Sequence, residues 1–168
     1  MKQKTMNRIL AYIMLLNMAL FSSSCASENA RQVAWLGYHE YASAAYAAVH
    51  YDFQQESDSS YTLINCANRS PEEALIAIVP DEVADRLAEI VAEEKMSRYR
   101  EEYRPLTHME DGTSWDLSIQ FGDGSTVTSS GYSKRPRGNG LQRLEAYLDE
   151  VWEQVKDSAR TVNLYEKY

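Results

Sequence analysis

Side chains capable of acid–base, nucleophilic or metal chemistry are few in this chain, whose 168 residues include three histidines and two cysteines. His39 and His50 lie 11 residues apart, and His108 follows much later. Zinc sites usually show ligands paired at short spacings such as HxxxH or CxxC, and neither spacing occurs here. No G-x-S-x-G segment marks a nucleophilic serine. The sequence therefore predicts no catalytic residue, no metal site and no cofactor.

The remaining candidates for chemistry have plainer interpretations. Cys66 ends an apolar segment typical of a strand, which favours a small buried side chain over a reactive thiol. Glu110, Asp111 and Asp116 lack the D-x-D-x-D-G rhythm of a calcium loop. Paired carboxylates for glycoside cleavage remain an open alternative, because the chain has 25 acidic residues and their spacing across strands is not readable from the sequence.

Cys25 differs from Cys66 because an export signal precedes it. Lys2, Lys4 and Arg8 are followed by an apolar run over residues 9–21, and serines separate that run from Cys25. The run is too short for a comfortable membrane span and is typical of a cleaved signal peptide. A cysteine directly behind such a segment indicates acylation, as in bacterial lipoproteins.

Two alternatives to lipidation stay open. Ser22 stands three residues before Cys25, where a typical lipoprotein signal has leucine. Ordinary cleavage after Ala26 would instead give a soluble periplasmic protein. A retained N-terminal anchor helix is the third alternative.

These assignments divide the chain into four segments: a lipoprotein signal peptide at 1–24, a tether at 25–32, a single α+β domain at 33–155 and a C-terminal tail at 156–168. The net charge of −8 becomes more negative once the basic signal is removed. Such a surface repels phosphate backbones, which argues against nucleic acid as a partner. We therefore expect attachment to the membrane through N-terminal acyl chains, in the bacterial cell envelope.

Hydrophobic periodicity predicts an antiparallel sheet of about six strands with two helices packed on one face. Strands are expected at 35–41, 49–53, 61–66, 74–79, 115–121 and 125–131. Apolar residues at helical spacing follow Pro80 and again follow Gly140. The order strand–strand–helix thus occurs twice, which predicts a tandem repeat. In the strand at 115–121, Trp115, Leu117, Ile119 and Phe121 are expected to point into the core.

Aromatic and basic residues are the best argument for binding. The chain has twelve tyrosines and three tryptophans, and aromatic faces can stack on sugars or anchor a partner. The tyrosines expected in strands or loops are Tyr38, Tyr41, Tyr46, Tyr51 and Tyr132. Lys134, Arg135 and Arg137 form a basic loop before the last helix, where an anion or acidic partner could bind. Replacing all three should leave the predicted core intact.

The segment at residues 111–124, DGTSWDLSIQFGDG, resembles the D-G-x-S-W-x-L-x-I-x-F-x-D-G motif of a group of uncharacterised bacterial envelope lipoproteins. In that group a glycine-ended strand, an asparagine and a proline follow; here Gly131, Ser133 and Pro136 stand at those positions. The resemblance covers about residues 61–152 and implies the fold order above and an envelope location. It implies no activity, so no catalytic residue can be transferred.

The sequence therefore favours an exported lipoprotein with a non-enzymatic binding or structural role, whose partner is an unknown envelope protein or glycan. Two alternatives remain: a small periplasmic hydrolase, and an envelope-anchored inhibitor that presents a loop to a protease or hydrolase.

Overall fold

The structure is a computed structural model that describes residues 31–41, 47–57, 59–67, 69–105 and 112–167. The predictions for Cys25, Tyr46, His108, Glu110 and Asp111 fall outside these ranges. Within them the chain is α+β, as predicted.

Eight strands form one sheet in the described part of the chain: β1 (Val33–Tyr41), β2 (Ala47–Gln55), β3 (Tyr61–Asn65), β4 (Ala74–Val79), β5 (Glu102–Tyr103), β6 (Ser114–Phe121), β7 (Thr126–Tyr132) and β8 (Arg160–Val162). Their order across the sheet is β5-β7-β6-β1-β2-β3-β4-β8. Neighbouring strands are antiparallel except β5 and β7, which are parallel. The sheet exceeds the predicted six strands because β5 and β8, with two and three residues, are too short to show an alternating pattern.

Three helices are present in these ranges: α1 (Asp81–Glu93), α2 (Gly140–Val155) and the single-turn α3 (Leu164–Lys167). The first two were predicted. Each buries a stripe of apolar residues at helical spacing, which includes Val83, Leu87 and Ile90 on α1 and Leu141, Leu144 and Leu148 on α2. Both stripes join one core with the same face of the sheet. Short 3-10 turns lie at Pro71–Glu73, Met96–Arg98 and Lys156–Ser158.

The strand alternation predicted for β6 is confirmed. Trp115, Leu117, Ile119 and Phe121 are at most 3% exposed and belong to the core beneath the helices. The residues between them lie on the opposite face, because successive side chains of a strand point to opposite sides.

The two strand–strand–helix segments occur as β3-β4-α1 and β6-β7-α2. They flank the central pair β1 and β2. Read inward from either edge, the sheet shows a short strand, the second strand of a segment, its first strand and then a central strand. The order is therefore the same from both sides.

The C-terminal residues pack against the sheet as part of the domain, whereas the sequence predicted a tail there. β8 pairs with the start of β4, where Ala74 lies opposite Val162. Val162 and Leu164 pack on a small second core of Ile64, Cys66, Ala74 and Ile76. These apolar side chains lie on the sheet face away from α1 and α2. The C-terminal segment folds back over them and buries them, which stabilises its position.

The last two residues of the predicted tether also contact the domain. Gln32 donates through Nε2 to the Tyr61 hydroxyl at 2.9 Å, and its carbonyl accepts from the Gly122 amide. The Arg31 guanidinium lies 4.2 Å from the centre of the Phe121 ring. Residues 31 and 32 therefore pack against the domain.

Candidate functional site

The sheet face opposite α1 and α2, which we call the open face, carries a group of ionisable side chains at its centre. His39 lies on β1, His50 and Asp52 on β2, and Asp116 on β6. They alternate with core residues and therefore share the other side of the sheet. We call these four residues the histidine–aspartate cluster. The side chains of Asp52, His39 and His50 are 14–18% exposed, and that of Asp116 is 41% exposed.

The strand register brings the cluster together. His39 lies directly opposite His50 on β2 and opposite Asp116 on β6. The Cys66 amide donates to the His50 carbonyl at 3.2 Å and extends this line to the end of β3. Neighbouring strands are about 4.8 Å apart, so side chains at aligned positions on one face can touch.

Each histidine contacts a carboxylate. His39 Nδ1 lies 3.1 Å from Asp116 Oδ1, and His39 Nε2 lies 3.1 Å from Asp52 Oδ1. His50 Nε2 lies 2.9 Å from Asp52 Oδ2. The two imidazole rings stack with centroids 4.0 Å apart and planes inclined by 28°. Asp52 thus bridges the two histidines, and Asp116 contacts the other ring nitrogen of His39.

Gly37 makes room for this arrangement. It lies opposite Asp52 on β2, two residues before His39. A Cβ at Gly37 would lie 2.7 Å from the Trp35 ring and 2.9 Å from Asp52 Oδ1. The absence of a side chain therefore allows the Trp35 indole and the Asp52 carboxylate to approach the strand backbone.

The electrostatics of the cluster favour a charged pair. Burial lowers the pKa of His39, but hydrogen bonds to Asp116 and Asp52 and their negative charges outweigh it and raise the pKa to about 9. Burial raises the pKa of Asp52, but its hydrogen bonds with His39 and His50 outweigh that effect and lower it to about 2. At neutral pH His39 is therefore an imidazolium between two carboxylates.

This arrangement offers no activated nucleophile. In the described ranges both histidines bond to carboxylates rather than to a hydroxyl or thiol. Cys66 lies next to the cluster, but its thiol points to the carbonyls of Arg69 and Ser70, at 3.6 and 3.4 Å. Burial raises the pKa of the Cys66 thiol. The predicted burial of Cys66 is confirmed by its 4% exposure.

The three basic residues of the loop have different surroundings in the structure. Arg135 is bonded to Glu40, a buried carboxylate that also accepts a hydrogen bond from the Tyr38 hydroxyl. The side chains of Lys134 and Arg137 are exposed. Losing Arg135 would leave Glu40 without its counter-charge, which is strongly destabilising for a buried carboxylate. The expectation that all three basic residues can be replaced without harm therefore does not hold for Arg135.

The tyrosines predicted to form a binding surface also differ in their exposure to solvent. Tyr38 and Tyr51 are 0% and 5% exposed and face the helices. The Tyr51 hydroxyl donates to Asp149 Oδ1 on α2 at 2.7 Å. Tyr41 and Tyr132 are 38% and 36% exposed. Only these last two, among the candidate tyrosines in the described ranges, present an aromatic face to solvent.

A groove of about 550 Å³ lies elsewhere on the open face, near Thr62, Ile78, Arg160 and Lys167. Lys167 lies 3.0 Å from Glu56 in an ion pair there. The Glu56 carboxylate also accepts a hydrogen bond from the Thr62 hydroxyl at 3.0 Å, so this ion pair belongs to a network that is satisfied within the protein. We therefore place the candidate site at the histidine–aspartate cluster.

The DGTSWDLSIQFGDG segment has a structural explanation wherever the structure describes it. Gly124 has a φ of +81° in the β6–β7 turn, and Asp123 Oδ1 accepts from the Ser125 amide at 2.9 Å. A Cβ at Gly112 would lie 1.8 Å from Ser133 Oγ. Ser133, where the resembling group has asparagine, adopts a φ of 51°, a region that asparagine favours.

Comparison with known proteins adds no assignment: no protein-family model and no curated protein sequence matches the chain. Among the helices of the described ranges, none has the length and apolar character needed to cross a bilayer.

The pairing of His39 with His50 was not predicted, because only short ligand spacings along the sequence were considered. Both lie in segments that the sequence predicts as strands, and the structure joins those strands as neighbours. Two successive strands that form a hairpin bring residues on either side of the turn opposite each other. Two histidines at similar distances from the turn, one on each side, were therefore the feature of the sequence that could have revealed this pairing.

We expect the stability contributed by His39 to be lost as the pH rises. Between its ordinary pKa of 6.5 and about 9, folded His39 holds a proton that the unfolded chain releases. Stability therefore falls through this interval, by about 1–3 kcal/mol. The measurement is the free energy of unfolding in urea, from pH 6 to 9.5, for wild type and His39→Gln with a chelator present.

The difference between the two proteins reports on His39 and on its coupling to His50 and Asp52, which contact it, while the other titrating groups are shared. The stability advantage of wild type should shrink from pH 6.5 to 9. Parallel stability curves for the two proteins would contradict the assigned charge of His39.

Proposed function

We propose that this chain is an exported, lipid-anchored, non-catalytic binding protein of the bacterial cell envelope, and that the histidine–aspartate cluster is its binding site. The observation that supports this proposal most is the cluster itself. It places four ionisable side chains, each with a defined partner, on the open face. The N-terminal export signal supports the location, and the DGTSWDLSIQFGDG segment supports kinship with envelope lipoproteins.

The charge state of the cluster argues for binding over catalysis. A general base works best when its pKa lies near the operating pH. His39, with a pKa of about 9, keeps its proton at neutral pH and is a poor base. Asp52, with a pKa of about 2, stays ionised and cannot donate a proton. A site that holds fixed charges suits recognition of a ligand.

The second candidate function is a small periplasmic hydrolase, and one observation favours it. His50 Nε2 lies 2.9 Å from Asp52 Oδ2, which is the contact between a base and the carboxylate that orients it. The hydrolase would still need a nucleophile, and the cluster pairs neither histidine with one.

We also infer that the two strand–strand–helix segments arose by duplication of one element. The symmetric strand order about β1 and β2 supports this inference. Under it, His39, His50 and Asp52 sit on the central pair of strands, and Asp116 sits on the first strand of the second copy.

Lipidation predicts a labelling pattern set by Cys25. In bacteria expressing the full chain and supplied with labelled palmitate, the wild-type protein should carry label and Cys25→Ala should not. Cys66→Ala is the matched control because it removes the only other thiol, and it should keep the label. Equal labelling of wild type and Cys25→Ala would contradict lipidation at this residue.

The non-catalytic assignment predicts an absence of turnover. The purified full chain should hydrolyse no substrate in broad esterase, protease, phosphatase and glycosidase screens, with or without added divalent cations. A reproducible rate that is lost in His50→Gln and in Asp52→Asn, while both variants stay folded by circular dichroism, would establish the hydrolase instead.

A further inference from the structure

We propose that His39, His50 and Asp52 bind one divalent ion of a late first-row transition metal, such as Zn²⁺ or Co²⁺. This inference rests on the proposed function, because it names the ligand of the same cluster. The three residues have none of the short spacings of zinc motifs, so no metal site was expected from the sequence. The sheet register supplies the proximity that the spacing does not.

The three residues offer a suitable set of donor atoms. Each presents one ligand atom, and these atoms lie within 4.8 Å of one another. Two imidazole nitrogens and one carboxylate oxygen are typical ligands for Zn²⁺ and its neighbours, whereas Ca²⁺ and Mg²⁺ prefer several oxygens. Three protein ligands also leave a fourth position for water or another ligand.

Two contacts within the cluster are close to the ligand separations of a coordination shell. A tetrahedral ion with bonds of about 2.0–2.1 Å holds its ligand atoms about 3.3 Å apart. Asp52 Oδ1 lies 3.1 Å from His39 Nε2, and Asp52 Oδ2 lies 2.9 Å from His50 Nε2. An ion can therefore replace the protons that now join Asp52 to the histidines, and those protons are released.

The stacked rings must turn for this to happen. An imidazole lone pair lies in the plane of its ring, and the two planes are inclined by only 28°. Coordination therefore requires the rings to rotate so that both Nε2 atoms converge on the ion. Both side chains are partly exposed, at 17% and 18%, which leaves room on the solvent side.

Asp116 is placed to act as a positioning residue. Histidines that bind metal usually donate their other ring N–H to a carboxylate, which fixes the ring and its tautomer. His39 has this arrangement, because Nδ1 lies 3.1 Å from Asp116 Oδ1 while Nε2 faces Asp52. Asp116 therefore supports the site without contacting the ion.

The test is titration of the purified full chain, without a polyhistidine tag and after chelator treatment, with Co²⁺ followed by visible absorption. Zn²⁺ is then measured by competition with a chromophoric chelator. The variants are His39→Gln, His50→Gln, Asp52→Asn and Asp116→Asn. Asp85→Asn is the matched control, because it removes one exposed carboxylate on α1, away from the cluster. Circular dichroism melting of each metal-free variant shows that it is folded.

We expect one Co²⁺ per wild-type chain, with the absorption of a low-symmetry site that contains nitrogen ligands, and displacement by Zn²⁺. Asp116→Asn should weaken binding about 10–100-fold, and the three ligand variants should weaken it further. Asp85→Asn should bind as wild type does. The graded loss distinguishes a positioning residue from a ligand.

Two results would overturn the metal site: no binding of Co²⁺ or Zn²⁺ by folded wild-type protein, or equal binding by wild type and the folded histidine variants. Neither result would bear on palmitate labelling, so the anchored binding protein would survive with another ligand. Metal binding by a protein that carries no label would refute the envelope anchor while leaving the metal site intact.

Discussion

The antiparallel pairing of β1 with β2 at the centre of the sheet determines where the polar groups of this protein lie. Tyr38 pairs with Tyr51, and the next residue, His39, pairs with His50. The tyrosines face the helices and the histidines face the other way. A slip of β2 by one residue would turn that strand over, which would bury His50 and expose Tyr51. The hydrophobic core therefore enforces the register on which the histidine–aspartate cluster depends.

The two faces use their polar groups differently. Beneath α2, Tyr38 and Arg135 bond to Glu40, and Tyr51 bonds to Asp149. These contacts satisfy buried groups, and burial together with the neighbouring carboxylates raises the pKa of both tyrosines. On the open face the cluster remains partly accessible to solvent. One set of contacts ties a helix and a loop to the sheet, while the other leaves a charged site that a ligand can reach.

The sequence predicted the elements with strong periodicity and failed where proximity depends on pairing. Leu117 and Ile119 on β6, and Leu144 and Leu148 on α2, follow patterns that the structure confirms. β8 was missed because three residues carry no readable alternation. The cluster was missed because its members come from three strands, and a linear sequence does not show which strands are neighbours. Asp116 lies 77 residues from His39 and touches it only because β6 pairs with β1.

The most direct measurement is a nuclear Overhauser spectrum of the protein with its histidine rings isotopically labelled. We expect cross-peaks between the ring protons of His39 and His50, because the ring centroids are 4.0 Å apart. Cross-peaks from the His39 ring to core residues such as Leu148, with none to His50, would contradict this pairing of β1 with β2.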